Sequence, residues 1–168
     1  INLIIIDGIK IESIKILFVG RLETYKGILV FLKALIKVLN KTKKKITITI
    51  IGDGTLYKEA LNLCKSSGYI KNFNFLKSIP HKDVLSHHSD SDIYVSSNTD
   101  GNLINTNLEA ISSNACMIIP KPQKSKKIDI KTYELLKNSV LYYKVNNSND
   151  LADKIMFLLN SLDNIISY

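Results

Sequence analysis

The chain has no tryptophan, only three prolines, seven glycines and two cysteines among its 168 residues. With proline and glycine this sparse, and no low-complexity tract or internal repeat in view, a disordered or fibrous chain is excluded. Cys64 and Cys116 lie far apart and match no metal or redox spacing, so they read as small buried apolar residues in a reducing compartment. No apolar run approaches the roughly 20 residues of a membrane-spanning helix. The opening "INLIII" is too short for a secretory leader and lacks its charged flank. The chain starts at Ile1 and not at Met, as expected of a piece of something longer. What is present is a 45% hydrophobic content, enough to bury the core of one domain.

Arginine is nearly missing as well. Lysine carries almost the whole net charge of +8, and Arg21 is the only arginine. Two clusters, "KTKKK" at Lys41 to Lys45 and "KPQKSKK" at Lys121 to Lys127, hold much of the excess and read first as solvated loops. No aromatic residues interleave with them and no nucleic-acid-binding pattern appears, which argues against nucleic acid as a partner. An anionic membrane surface stays open. In a chain that otherwise uses lysine, one arginine marks a place where a planar fork of donors is wanted, such as a bidentate phosphate contact.

Periodicity supplies the architecture. "KILFVG" is an apolar run of strand length, and Gly27 to Asn40, "GILVFLKALIKVLN", has the length and spacing of a helix lying on a sheet. "KITITIIG" reads as a strand, and "TLYKEALNLCKSSG" as a helix with Thr55 as N-cap and Gly68 as its stop. The cycle continues with "KNFNFL" (strand), "HKDVLSHHSD" (helix), "DIYVSS" (strand), "LINTNLEAISSN" (helix) and "ACMIIP" (strand). After a lysine-rich loop, "KTYELLKN" predicts a short helix and "SVLYYKV" a strand. Residues 149–166 predict a long amphipathic helix capped by Ser148. Strands alternating with helices at this spacing predict an α/β fold, a doubly wound, Rossmann-like parallel sheet, because parallel strands require crossover connections.

Such a sheet binds ligands outside the carboxyl ends of its strands, so the loops that follow strands carry the functional reading. After the first comes "VGRLETYKG". Gly20 admits close backbone approach, Arg21 and Lys26 supply charge, and Gly27 opens a helix whose N-terminal N–H groups suit a phosphate. After the second comes the tight turn "GDG", Gly52 to Gly54. After the fourth comes "SSNTDGNLINTNLEA", with four Asn, two Thr, a Gly, an Asp and one isolated Glu. A turn and a polar helix start explain that composition locally. A ligand cradle whose Glu takes a polar ligand group explains it functionally.

The segments "ILFVGRLETYKGILVFLKAL", "ITIIGDGTLYKEAL", "SDIYVSSNTDG", "NLEAISSN" and "NDLADKIMFLL" stand in one order and spacing. In these the chain resembles the C-terminal, nucleotide-sugar-binding lobe of retaining GT-B glycosyltransferases of the E-x7-E group, along nearly its whole length. "IIIDGIKIE" resembles the segment that enters that lobe, with Asp7 where Asn is usual. The resemblance implies a linker over residues 1–14, a donor-binding domain over 15–168, and an N-terminal acceptor lobe absent from this chain. It implies that Arg21 and Lys26, in the Gly20–Gly27 loop, bind the donor diphosphate. Glu109 is implied to bind the ribose hydroxyls, a natural task for a group that accepts two hydrogen bonds and donates none. The backbone of Asn105 and Thr106 is implied to face the phosphates. Neither a metal nor a further cofactor is implied; the nucleotide-sugar is the donor substrate.

The first Glu of the motif is where the sequence departs. Counting back eight positions from Glu109 reaches Gly101, with Asn102 where the family has Gly, and Asp100 stands one position too early. Either a small loop shift brings Asp100 to the donor sugar as the catalytic carboxylate, or that carboxylate is absent. Asn105 matches a family variant and favours the register without a shift. His81, His87 and His88 read as structural: the first follows Pro80 at a helix entry, and the adjacent pair points to opposing sides of a helix without the spacing of a zinc pair.

The expectation is thus a hexosyltransferase-type enzyme, cytoplasmic or peripheral at the membrane, that retains anomeric configuration and acts on a glycan or lipid-linked acceptor of unread identity. Two alternatives stand beside it: a donor-binding or scaffold lobe without chemistry, and a dinucleotide-binding oxidoreductase. No G-x-G-x-x-G follows the first strand, which counts against the oxidoreductase.

Overall fold

A computed structural model of the chain describes residues 2–6, 9–99, 104–113, 115–122, 134 and 136–166. In chain order these form β1 (Asn2–Ile6), β2 (Ile9–Val19), a 3-10 turn at Thr24–Lys26, α1 (Ile28–Lys41), β3 (Lys45–Ile51), α2 (Tyr57–Ser66), a second 3-10 turn at Ile70–Asn72 and β4 (Phe73–Leu76). The second half continues with α3 (His81–Ser89), β5 (Ile93–Val95), α4 (Asn105–Ile111), β6 (Cys116–Pro120), β7 (Leu141–Tyr143) and α5 (Ser148–Ile166).

Six strands lie in the order β4-β3-β2-β5-β6-β7, every neighbouring pair parallel. The order runs outward from β2 to one edge and then from β5 to the other. The chain therefore reverses its direction of winding between β2 and β5, and the crevice outside their carboxyl ends is the topological switch point. The expected doubly wound sheet is the observed one.

The pleat explains how one sequence serves both faces. Ile16 and Phe18 of β2, with Ile46, Ile48 and Ile50 of β3, face a core shared with α1, α2 and α5; Leu17, Ile51, Tyr94 and Met117 face a second core under α3 and α4. On α1, Ile28, Phe31, Leu32, Leu35, Val38 and Leu39 recur at helical spacing and are buried. Full burial of side chains of this size stabilises by about 1.5–3 kcal/mol each before entropy is counted. The Phe18 and Phe31 rings meet at 5.3 Å, which fixes α1 over β2 directly beneath the first loop of interest. In the middle of β2, the Lys15 backbone N–H donates to Asp92 at 2.8 Å, which seats the start of β5 beside it.

Three local expectations shift. The segment read as the entry to the lobe forms β1 and the start of β2, paired antiparallel from Asn2 opposite Ser13 to Ile6 opposite Ile9. Thr55 does not cap α2, which begins at Tyr57; its hydroxyl donates instead to Glu23 at 2.6 Å. The cap of α5 is Asn147 and not Ser148: Asn147 Oδ1 accepts from the backbone N–H groups of Asn149 and Asp150, both at 3.0 Å. Ser148 lies inside the helix, and its hydroxyl accepts from Lys37 at 2.9 Å. Of the helix read over "KTYELLKN", Glu134 and Leu136 are helical, and residues 131–133 and 135 lie outside the described residues, as do residues 123–127 of the second lysine cluster.

Candidate functional site

All seven positions that the sequence assigned to donor binding lie in the loop between β2 and α1 or on α4, and backbone geometry explains their grouping. Gly27 has φ +69°, the left-handed conformation that closes the Thr24–Lys26 turn and opens α1. It also lies against the loop after β5: a Cβ there would stand 1.9 Å from the Ser97 carbonyl oxygen. Ser97 Oγ donates to the Lys26 carbonyl at 2.9 Å, and Thr99 N–H donates to the Tyr25 carbonyl at 2.8 Å. The loops after β2 and β5 are thus stitched together across the crevice. They are distant in sequence, and the absence of a side chain at Gly27 is what lets them touch.

The loop after β3 joins the same edge. Gly20 N–H donates to the Ile51 carbonyl and Leu22 N–H to the Asp53 carbonyl, both at 2.9 Å. Gly52 carries φ +149°, and a Cβ on it would lie 2.0 Å from the Gly20 carbonyl oxygen. Glu23 accepts from both the Thr55 hydroxyl and the Thr55 N–H. Those hydrogen bonds, with a smaller contribution from the nearby Arg21 charge, hold its carboxyl below the usual range.

On this scaffold stand the charges. Arg21 is exposed, donates to the Tyr25 hydroxyl, and has its guanidinium carbon 5.6 Å from the Tyr25 ring centroid. The Lys26 ammonium lies 5.4 Å from the same ring. One half-exposed aromatic side chain therefore gathers two cations at the N-terminus of a 14-residue helix. The first-turn N–H groups of such a helix have no acceptor within it, and its dipole favours an anion there.

Asn105 and Thr106 are the first two residues of α4. Thr106 Oγ1 and Asn107 Oδ1 lie 3.1 and 3.0 Å from the hydroxyl of buried Tyr94, so β5 ties down the start of the helix. Glu109 follows one turn later. Its carboxylate turns towards α3, with Oε1 3.0 Å from His81 Nε2 and Oε2 3.6 Å from His88 Nε2. These histidines are the residues that sequence reasoning set aside as structural. Their seven-residue spacing, two helical turns, was the one signal that they share a face. Asp100, read as the catalytic carboxylate, lies outside the described residues, as does Gly101. Among the described residues no group of three or more His, Cys, Asp or Glu is placed to hold a metal ion, and no helix is long and apolar enough to cross a membrane.

Comparison with known proteins gives this arrangement a context. Residues 5–164 match the family described as "Glycosyl transferases group 1". The C-terminal domain of a group 1 glycosyl transferase from Francisella tularensis superposes with a TM-score of 0.71 at 24% identity, covering 88% of this chain and 75% of that one. The catalytic domain of a cholesterol-α-glucosyltransferase from Helicobacter pylori gives 0.68 at 25% identity, covering 89% of each. An Anabaena protein crystallised with UDP and glucose gives 0.71 at 17% identity, and there this chain spans only 40% of the longer partner. No curated protein sequence matches at a significant level.

Proposed function

The chain belongs to the group 1 glycosyl transferases, and on that footing we propose that it binds the nucleotide-sugar donor as the C-terminal lobe of a retaining two-lobe enzyme. The observation that carries this reading is the junction at the switch point, where Gly27 packs on Ser97 and brings Arg21, Lys26 and the N-terminus of α1 to the loop that leads into α4. A diphosphate fits those cations and N–H groups, and the ribose extends towards Glu109. UDP is the first nucleotide to test, since the Anabaena neighbour was crystallised with it.

In the reaction we propose, the bond between the anomeric carbon and the diphosphate oxygen breaks while a bond to an acceptor oxygen forms on the same face, and the acceptor's proton passes to the leaving diphosphate oxygen. Arg21, Lys26 and the helix N-terminus take up the charge that develops on the leaving diphosphate, and preorganised charge of this kind supplies much of the rate in such transfers. Asp100 is the carboxylate we propose near the donor sugar. The acceptor is proposed to be a glycan or lipid-linked alcohol whose binding site is supplied by an N-terminal lobe. A second reading, a donor-binding lobe without chemistry, is favoured by one observation: strict counting from Glu109 puts Gly101 at the first Glu of the motif.

Glu109→Gln tests the ribose assignment. It keeps the size of the side chain and exchanges one acceptor oxygen for a donor group. The expected result in calorimetric titration is roughly tenfold weaker UDP binding, the loss of one charge-assisted hydrogen bond, with inorganic pyrophosphate bound as before. Equal weakening of both ligands would show that Glu109 supports the fold and does not read the ribose.

A further inference from the structure

The carboxylate assigned to ribose lies between two imidazoles from α3, and they meet it on different terms. His81, at the first turn of α3, is 70% exposed on its side chain and reaches Oε1 at 3.0 Å, so a ligand at the surface can replace it. His88 is buried to 1% exposure, with its ring centroid 5.0 Å from that of Tyr94 and tilted 50° to it. Among the described residues neither of its ring nitrogens has a hydrogen-bond partner, and neither has Glu109 Oε2, which is itself buried.

Two buried polar groups without partners face each other across 3.6 Å. That gap exceeds the ~3.2 Å limit of a good N–H···O bond, and a closing movement of about half an ångström satisfies both groups at once. The Tyr94 hydroxyl, packed against the same ring, is engaged with Thr106 and Asn107. Burial pushes the His88 pKa down from its ordinary value, and neighbouring His87 adds to that push while Glu109 opposes it. At neutral pH the ring is therefore an uncharged imidazole with one proton, which the facing carboxylate draws to Nε2.

We propose that His88 is a positioning residue: its Nε2–H anchors Glu109 Oε2 from beneath, so that Oε1 is aimed at the ribose once His81 gives way. A neutral donor leaves the full negative charge of the carboxylate to the ligand, whereas a buried cation would compete for it. Holding one oxygen also fixes the rotamer of Glu109, and a carboxylate that cannot turn distinguishes a vicinal diol from a sugar lacking one hydroxyl better than a mobile one does. The proposal rests on the reading of Glu109 as the ribose carboxylate.

The test compares UDP with 2′-deoxy-UDP by calorimetry on the 168-residue chain, with inorganic pyrophosphate as control and the denaturant midpoint measured for each variant. His88→Phe keeps a ring of similar size and removes the two unpartnered nitrogens; His88→Leu supplies a second donor-free variant should the aromatic packing fail; His88→Gln keeps an N–H donor. The expected parent prefers UDP by about tenfold, the scale of one hydrogen bond to a charged group. His88→Phe and His88→Leu lower that preference towards unity with pyrophosphate binding unchanged, and His88→Gln retains most of it. A folded donor-free variant with the parent's preference would overturn the positioning role and leave the ribose assignment intact. A parent with no preference would overturn both.

Discussion

Replacing Arg21 with alanine is expected to weaken nucleoside diphosphate binding ten- to a hundredfold and to leave the bare nucleoside nearly untouched. A hydrogen bond to a charged group contributes roughly 1.5–3 kcal/mol, which is that range in affinity. Among the chain's Lys and Arg residues, only this one is arginine. Tyr25 holds the guanidinium through its hydroxyl and its ring, beside Lys26 and the opening of α1. Arg21→Lys should recover part of the loss, because an ammonium restores the charge without the planar fork that grips two phosphate oxygens. Calorimetry with UDP and uridine on the three proteins reads both effects, and equal UDP binding by parent and Arg21→Ala would remove Arg21 from the phosphate site.

The second large effect is on stability, and it comes from adding one methyl group. Gly27→Ala places a Cβ 1.9 Å from the Ser97 carbonyl oxygen, a backbone atom of the loop after β5. It also forces alanine to φ +69°, which costs an L-residue about 1–2 kcal/mol. Relieving the overlap means parting the loop after β5 from the start of α1, a further cost of about 1–3 kcal/mol. Together the expected destabilisation is roughly 2–5 kcal/mol, a large share of the stability of a domain this size. The Ser97 to Lys26 and Thr99 to Tyr25 hydrogen bonds are the ones strained. A urea titration should show a clearly lower midpoint, with UDP affinity reduced in whatever fraction stays folded. A parent-like midpoint would mean that the two loops are not pressed together as described.

Much of this was legible because each strand is a compact apolar run and each helix carries its own stripe. "KITITIIG" contains β3, and "GILVFLKALIKVLN" contains all but the last residue of α1. The alternation alone dictated a parallel, doubly wound sheet, and that topology dictated which loops share an edge. What was misread depended on contacts outside the local window. Thr55 has every local qualification for a cap, yet its hydroxyl is taken by Glu23 from another loop. Asn147 takes the place of Ser148 because the helix already includes Ser148, whose hydroxyl is engaged by Lys37, and the Asn147 side-chain oxygen accepts from the two N–H groups ahead of it. The β1–β2 pair did leave a trace, the dipeptide Asp7-Gly8 between two apolar runs, which is a strong hairpin signal. The contact of His81 and His88 with Glu109 left almost none, since it arises only when α3 and α4 pack side by side over the second core.

The central claim is that the crevice between β2 and β5 accepts a nucleoside diphosphate. The most direct test is calorimetric titration of the chain with UDP, GDP and ADP against inorganic pyrophosphate and the corresponding nucleosides, without added metal. The account predicts that one of the three diphosphates binds more tightly than both pyrophosphate and its own nucleoside, since cations and helix N-terminus hold one end while Glu109 holds the other. Binding of all three no tighter than pyrophosphate would contradict it.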